Sequence, residues 1–571
     1  MRRPFLLLVV ASLLAACGGG GSDVVSNTAQ AQQAAPVECS KLVGVTIAAT
    51  SIGLPTSGAV VTSASVVAPT TGAGNAARPE YCSVAGEIKP VDPAAPSINF
   101  KLALPTAWNS KVMMFGGGGL DGTVPNVAGN VPAGPADQPV PLSRGYAVFG
   151  SDSGHQDNLK HAINGLDGTF GLNDEALNNW SSGDALKKTR DVALALIKMR
   201  YAVSGPKKAY FAGGSTGGRE ALTVIQRWPD DWDGAIALYP ARAGMVSILG
   251  GHRMNRALAQ PGAYLNSAKR DVLFKAAYEA CDAMDGVVDG LISNQVRCNS
   301  VFDPATATLG GNPVRCANGA DTGDTCLSDA QIAAMKVINT ATNLNYLASG
   351  ETQHPGYNIW GADTGIATRT SAVEPTVTIL AFGTSQPTMP MPETAPYISV
   401  FTDQWIKYHV TRDPSYNSLS LDPENPGAWA SRISMLSTML DAKTDLSKFA
   451  AKGGKLLMAH GVNDVLVSTR STEAYYNTLL AQQGATQVGN FARYYEIPGY
   501  NHAASSVFNA AWDSLTALEA WAENGVAPTN QVVTDTVGVP GRTRPLCQYP
   551  AWPQYKGSGD ANAAASFTCV N

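Results

Sequence analysis

Histidine is scarce in this chain, with seven among 571 residues. No two cysteines stand at C-x-x-C spacing and no paired histidines lie near them, which argues against a zinc site. There is no cluster of lysines and arginines either. With a formal balance of −5 and no basic stripe to neutralise phosphates, nucleic acid is excluded as a partner. Beyond the first residues no apolar run approaches the roughly 20 needed to cross a bilayer. No internal repeat is visible.

The chain begins with a short basic segment, Met1-Arg2-Arg3, then an apolar run from Phe5 to Leu14, then Leu14-Ala15-Ala16-Cys17. Such an order describes an export signal, too short to span a membrane stably. A cysteine directly after small residues resembles a bacterial lipobox, which makes Cys17 the lipidated N-terminus after cleavage. The alternative is ordinary secretion, with Cys17 removed or free. Gly18 in the following position favours the outer membrane. Arg2-Arg3 also fits a twin-arginine signal, but the leucine-rich core favours the general export route. The expected location is the periplasm or outer membrane as a lipoprotein, or the cell surface, with membrane contact only through Cys17. Nine cysteines suit that setting, because eight remain once Cys17 is set aside, an even number for disulfides in an oxidising compartment. Proximity along the chain suggests the pairs Cys39–Cys82, Cys281–Cys298, Cys316–Cys326 and Cys547–Cys569, although sequence alone does not fix connectivity.

A chain with 44% hydrophobic residues buries a core, and its length exceeds one compact unit, so a core with a large insertion is expected. Strand-like and helix-like runs alternate in two flanking regions. The first holds strands at Lys111 to Phe115, Tyr146 to Ser151, Lys208 to Ala212 and Gly234 to Leu238, with helices at Asp184 to Val203 and Arg219 to Trp228. The second holds strands at Lys455 to Ala459 and Phe491 to Ile497, with helices at Thr469 to Gln483 and Ala510 to Asn524. Between them the pattern breaks into Gly-, Pro-, Asn- and Thr-rich chain with short helices such as Ser328 to Asn339. This predicts an α/β class fold, a doubly wound sheet with a large insertion. The expected divisions are a lipoprotein signal over 1–17, a flexible tether over 18–36, a first part of the core over 37–240, a lid over 241–451 and a second part of the core over 452–571.

Gly213-Gly214-Ser215-Thr216-Gly217-Gly218 lies between a strand-like and a helix-like run. A nucleophile elbow needs that context, a strained turn that lifts a serine hydroxyl out of the sheet. With 57 glycines a chance G-x-S-x-G is expected, and the alternative is a Gly/Ser loop. The partners downstream favour catalysis. A serine needs a base to take its proton and an acid to orient that base. Asp464 falls in the turn after the strand Lys455 to Ala459, and His502 in the turn after the next strand. Only His502 follows Asp464 in the chain, in the order Ser, acid, His that such folds use. For Asp464 the rival role is a turn or helix cap, and Asp513 lies too deep in its helix to compete. An oxyanion hole needs two backbone amides, expected from Thr216 and from the run Gly116-Gly117-Gly118-Gly119 that ends a core strand.

These pieces together resemble the tannase and feruloyl esterase family, which implies an α/β-hydrolase doubly wound sheet with a large inserted lid domain. The resemblance rests on Gly116 to Gly122, Ser151-Asp152-Ser153-Gly154-His155, Gly214 to Glu220, His460-Gly461-Val462-Asn463-Asp464 and the turn at His502, in order along nearly the whole mature chain. It implies Ser215 as nucleophile, Asp464 as acid, His502 as base, and the amides of Gly119 and Thr216 as oxyanion donors. It implies cleavage of small esters of aromatic acids such as ferulate, gallate or terephthalate monoesters. By that resemblance His460 touches substrate, against a plain loop-packing role. It also implies structural Ca²⁺ in the lid, held by the carboxylates of Asp282, Asp285 and Asp289 and the carbonyls of Val287 and Leu291. Hard oxygen donors suit that ion, and three like charges within eight residues repel unless a cation joins them; an acidic surface turn is the alternative. In one respect the chain departs from the family, whose members commonly carry a disulfide between cysteines beside the catalytic serine and histidine. Here Gly214, Asn501 and Ala503 occupy those places, which is expected to loosen the Ser215–His502 geometry. Arg369 and Arg412 are unranked candidates for a substrate carboxylate, and Trp360, Phe401, Trp405, Tyr408 and Trp429 for an apolar pocket wall, against ordinary lid core. Two rival readings remain, a serine peptidase of prolyl-peptidase type and a lipid-anchored binding protein on a dead hydrolase scaffold.

Overall fold

A computed structural model describes residues 35–571 apart from 159, 160, 162 and 243. The signal segment and Cys17 lie outside the described residues. Ten strands form the main sheet. They are β1 (Thr46–Ile47), β2 (Ala59–Val67), β3 (Tyr81–Ile88), β4 (Ile98–Pro105), β5 (Lys111–Phe115), β6 (Ala147–Ser151), β7 (Lys208–Gly214), β8 (Gly234–Leu238), β9 (Lys455–Gly461) and β10 (Ala492–Ile497). Their spatial order is β1-β2-β3-β4-β6-β5-β7-β8-β9-β10. From β6 to β10 all neighbours are parallel, and β1 to β4 add an antiparallel wing.

Every residue of β6 and β8 is buried, as parallel strands covered on both faces require. One face packs against helices α1 (Asp184–Tyr201) and α2 (Thr216–Arg227), through Leu186, Val192, Leu196, Leu222 and Ile225. The other face packs against α7 (Ser514–Asn524) through Leu515, Leu518 and Trp521. The sequence placed that last helix from Ala510. Instead Ala510–Ala511 is a short strand paired with Asp535 and Thr534, and Asp513 caps the helix by accepting a bond from the Thr516 amide at 3.2 Å.

Between β8 and β9 the chain builds a separate hydrophobic cluster from α3 (Gly244–Leu258), α4 (Ser267–Cys281), α5 (Tyr397–Trp405) and irregular chain. That cluster also takes in Leu166, Trp180 and Val465–Val467 from the sheet side, so it sits on the carboxyl ends of the parallel strands. The helix that follows β9, α6 (Thr469–Gln483), has the bounds expected from sequence. All four expected disulfides are formed, Cys39–Cys82, Cys281–Cys298, Cys316–Cys326 and Cys547–Cys569. Among the described residues no helix is long and apolar enough to cross a membrane.

Candidate active site

Ser215 stands between β7 and α2 with φ 59° and ψ −123°, a left-handed backbone that a non-glycine residue rarely adopts. That strain belongs to a nucleophile elbow. The turn is fastened by the Ser215 amide donating to the Leu238 carbonyl at 3.1 Å and the Ala241 amide donating to the Ser215 carbonyl at 3.1 Å. Glycine at 217 is a packing requirement, since a Cβ there would lie 2.7 Å from the Gly117 carbonyl oxygen. This close approach lets the Gly217 amide donate to that carbonyl at 3.1 Å, joining the elbow to the glycine loop after β5.

A small cavity of about 50 Å³ is lined by Ser215, Gly119 and Thr216 together. Gly119 takes φ 61°, and the Thr216 hydroxyl donates to its carbonyl at 2.6 Å, fixing one proposed amide relative to the other. Among the described residues neither the Gly119 nor the Thr216 amide is taken by another group, and Thr216 opens a helix, where amides lack intrahelical partners. The rest of the wall is apolar and includes Trp180, Ile248, Ile398, Phe401 and Val467.

The turns after β9 and β10 bring acid and base together. His502 Nδ1 donates to Asp464 Oδ2 at 2.6 Å. Its partner being a carboxylate, Nδ1 carries the proton and Nε2 presents its lone pair. Asp464 is fully buried, and its Oδ1 accepts the amides of Leu466 at 2.8 Å and Val467 at 2.9 Å. Burial alone would raise this carboxyl, but His502 and His460 hold it well below the usual carboxylate range. Among the described residues the Ser215 hydroxyl takes no hydrogen bond, so the Ser215–His502 bond is not closed. Such bonds are commonly long before substrate arrives.

The other histidine against Asp464 is His460. It is fully buried, lines no part of the Ser215 cavity, and lies beneath the acid. Nε2 faces two acceptors, Asp464 Oδ2 at 3.1 Å and the Val467 carbonyl at 3.0 Å, so it bears the proton. Nδ1 then accepts from the Thr472 hydroxyl at 2.9 Å. In this structure the bonds of His460 support Asp464.

Sequence reasoning missed the acidic pair beneath the oxyanion loop. Ser153 Oγ lies 2.6 Å from Asp121 Oδ2 and 3.2 Å from Glu220 Oε1, and Glu220 Oε2 accepts the Gly117 amide at 3.1 Å. Burial, then the neighbouring Glu220, pushes the Asp121 carboxyl well up. Asp121, Ser153 and Glu220 all lie in the segments of family likeness, which was the available signal. Arg219 also lines the cavity, but its guanidinium donates to the Ser181 carbonyl at 3.0 Å and lies over the Trp180 ring at 4.9 Å.

The arginines named from sequence lie elsewhere. Arg412 pairs with Asp174 and donates to the Gly171 carbonyl at 3.2 Å. Arg369 donates to the Ser506 carbonyl at 3.1 Å and lines a different cavity, of about 540 Å³, walled also by Glu374 and Glu393. Of the lid aromatics, Phe401 lines the Ser215 cavity, whereas Trp360 and Trp405 are core.

In the lid loop, Asp282 accepts the amides of Asp289 at 3.2 Å and Gly290 at 3.0 Å. Asp285 Oδ1 accepts the Val287 amide at 3.2 Å while its Oδ2 is buried without a partner. Burial, with smaller contributions from Asp289 and Asp282, raises Asp285 to about 6. Asp289 pairs with Arg544, and among the described residues no three acidic, histidine or cysteine side chains are gathered as a metal-holding group. The donor chemistry and the orphaned oxygen of Asp285 fit a hard cation; the Asp289–Arg544 pair would have to share its carboxylate with it.

An elbow serine, an oxyanion loop and a carboxylate–imidazole pair at the carboxyl ends of a parallel sheet define an α/β-hydrolase site. A family model described as Tannase and feruloyl esterase matches residues 82–570, and the chain belongs to that family. It is 36% identical over 560 residues to an uncharacterized esterase of Agrobacterium fabrum, covering 96% of this chain and 95% of that protein. It is 32% identical to the mono(2-hydroxyethyl) terephthalate hydrolase of Piscinibacter sakaiensis, over 88% of this chain and 87% of the other. Feruloyl esterase B from Aspergillus oryzae has the same fold, with TM-score 0.71 at 22% identity, covering 90% of this chain and 97% of that one. The chain is a carboxylic ester hydrolase of the tannase and feruloyl esterase type.

Proposed function

We propose that the chain is an exported serine esterase that cleaves esters of aromatic or hydroxyaromatic acids through an acyl-enzyme. The observation that carries the mechanism is the strained Ser215 sharing one cavity with Gly119 and Thr216, beside a His502–Asp464 pair at 2.6 Å. His502 Nε2 takes the Ser215 proton as Oγ attacks the ester carbonyl carbon. The charge that develops on the carbonyl oxygen is met by the amides of Gly119 and Thr216. His502 returns the proton to the departing alkoxide, leaving the acyl group on Ser215. Water, deprotonated by the same imidazole, attacks that ester, and the imidazolium returns the proton to Ser215 Oγ as the acid is released. Asp464 stabilises the imidazolium at both steps.

The names of the relatives support esters of ferulate and terephthalate as first substrates. Attachment through Cys17 and structural Ca²⁺ at Asp282, Asp285, Asp289 and the carbonyls of Val287 and Leu291 belong to the same reading. Purified protein is to be assayed on methyl ferulate, methyl gallate and a terephthalate monoester, with Ser215→Ala as control. Release of acid by the wild type alone is expected; turnover surviving in Ser215→Ala refutes the mechanism. For the ion, elemental analysis after dialysis against chelator should show one calcium per chain lost, together with a lower Tm.

A further inference from the structure

We propose that Tyr239 is a positioning residue for the catalytic base, a ring wedged between the elbow and His502 that sets how far apart they stand. The proposal rests on the serine-hydrolase reading above.

Tyr239 directly follows β8 with φ 34°, a left-handed backbone for a bulky residue. Such strain persists only where surroundings enforce it. They do so here on both sides, with the Tyr239 amide donating to the Ala459 carbonyl at 2.7 Å and the flanking Leu238 and Ala241 each bonded to the backbone of Ser215 at 3.1 Å. Its side chain is consequently aimed across the mouth of the sheet and buried.

Two contacts define what the ring does. Its centroid lies 4.9 Å from that of His502 at an interplanar angle of 61°, an edge-to-face pair. On its other side it fills the place where position 214 would carry a side chain. A Cβ built on Gly214 would meet three Tyr239 atoms at 2.5, 2.6 and 2.6 Å, and these are its three nearest neighbours. One ring therefore touches the residue before the nucleophile and the ring of the base. Tyr500, two residues before His502, supports it at 6.2 Å and 67°. Glycine at 214 is thus demanded by Tyr239 rather than by the backbone, which needs no left-handed conformation there.

Tyr239 does not line the Ser215 cavity. Its removal should slow the chemical step and leave substrate binding alone, because a misplaced base costs rate rather than affinity. In Tyr239→Leu we expect kcat to fall about tenfold or more with KM changed by less than about twofold. Tyr239→Phe keeps the ring against His502 and two of the three atoms facing position 214, losing only the hydroxyl, and should retain activity within about threefold. Gly214→Ala should lose about a hundredfold, because its methyl group displaces the ring. The decisive arm is the double variant Gly214→Ala/Tyr239→Leu, which should regain at least about tenfold over Gly214→Ala alone by vacating the collision.

Full activity in Tyr239→Leu, or a double variant no better than Gly214→Ala, overturns the proposal. The epistasis between 214 and 239 keeps the test decisive even where one variant lowers Tm, since general destabilisation by two substitutions does not restore rate. Loss of the serine-hydrolase reading would look different, as turnover surviving in Ser215→Ala.

Discussion

The turns that follow β7, β9 and β10 and the segment between β8 and β9 are built on different physics. In the first, parallel strands in register deliver Ser215, Asp464 and His502 to one edge of a sheet, and short backbone bonds finish the placement. In the second, irregular chain is held by disulfides and by buried cations that saturate carbonyl groups. Arg270 alone donates to the carbonyls of Leu265, Thr364 and Gly383 at 2.9, 2.9 and 3.0 Å. Geometry that comes from register survives the loss of a side chain, whereas geometry that comes from clips fails when a clip is cut. Chemistry should therefore be fragile to substitution at the sheet edge, and folding fragile to substitution in the lid.

The largest effect should come from Asp464→Asn. The amide keeps the two bonds from Leu466 and Val467 but no longer stabilises the imidazolium, and kcat should fall about 10³–10⁴-fold. The Tm should fall far less steeply than the rate, since only the bonds from His502 and His460 are lost, which steady-state kinetics and calorimetry would check side by side. A Tm loss as severe as the rate loss would erase the proposed division. Next comes Cys281→Ser/Cys298→Ser. That clip closes 17 residues around the acidic loop, and losing it should cost about 3 kcal/mol. Hydrogen exchange should then rise first in α4 and the loop, with β9 and β10 still protected.

His460→Phe gives the third effect. Removing the Nε2–H donor beneath Asp464 should lower kcat about ten- to a hundredfold at nearly constant KM. A raised KM with kcat intact would restore the substrate contact that the family likeness suggested.

Most of the sheet edge was legible because a strand buried on both faces reads as a continuous apolar run, and because the turns carry residues of restricted choice. Lys111–Phe115 and Gly234–Leu238 have the bounds their composition gives. The antiparallel wing went unread. β3 alternates half-buried and buried positions using Ser83, Ala85 and Gly86, whose small side chains give weak contrast between its faces. The acid and base were readable from chain order, but depth was not. Nothing local distinguishes His460 beneath the acid from a histidine facing a ligand, because four residues of turn fold it back onto Asp464. The cavity wall was equally hidden, since Trp180, Ile398 and Val467 come from three distant segments that meet only once the lid covers the sheet. The departure at Gly214 shows the reverse case. A missing cysteine beside the serine suggested looseness, yet the Tyr239 ring occupies the vacated space.

The smallest effect sharpens the comparison through pH. Asp441, where the lid returns to the sheet, and Asp152, at the end of β6, are both raised by burial from 3.8 to about 7. A carboxyl raised on folding keeps its proton in the native state between about pH 4 and 7 while the unfolded chain has released it. The stability it contributes is complete below about pH 4 and is lost as pH rises through 7, at about 1.4 kcal/mol per unit for one group. Replacing either by asparagine should remove that slope. The two differ in what they hold. Asp441 accepts one amide, from Met245 at 2.8 Å, and its Oδ2 is buried without a partner, so the oxygen of an amide group keeps the one bond it makes. Asp152 accepts the amides of Asn99 and Gly154 at 3.1 Å and the Gln156 side chain at 2.8 Å, more than one carbonyl oxygen can replace. Asp441→Asn should therefore be more stable than wild type at pH 8, whereas Asp152→Asn should be less stable at pH 5. Urea unfolding at both pH values measures this, and equal responses of the two variants would mean that lid and sheet hold their buried acids alike.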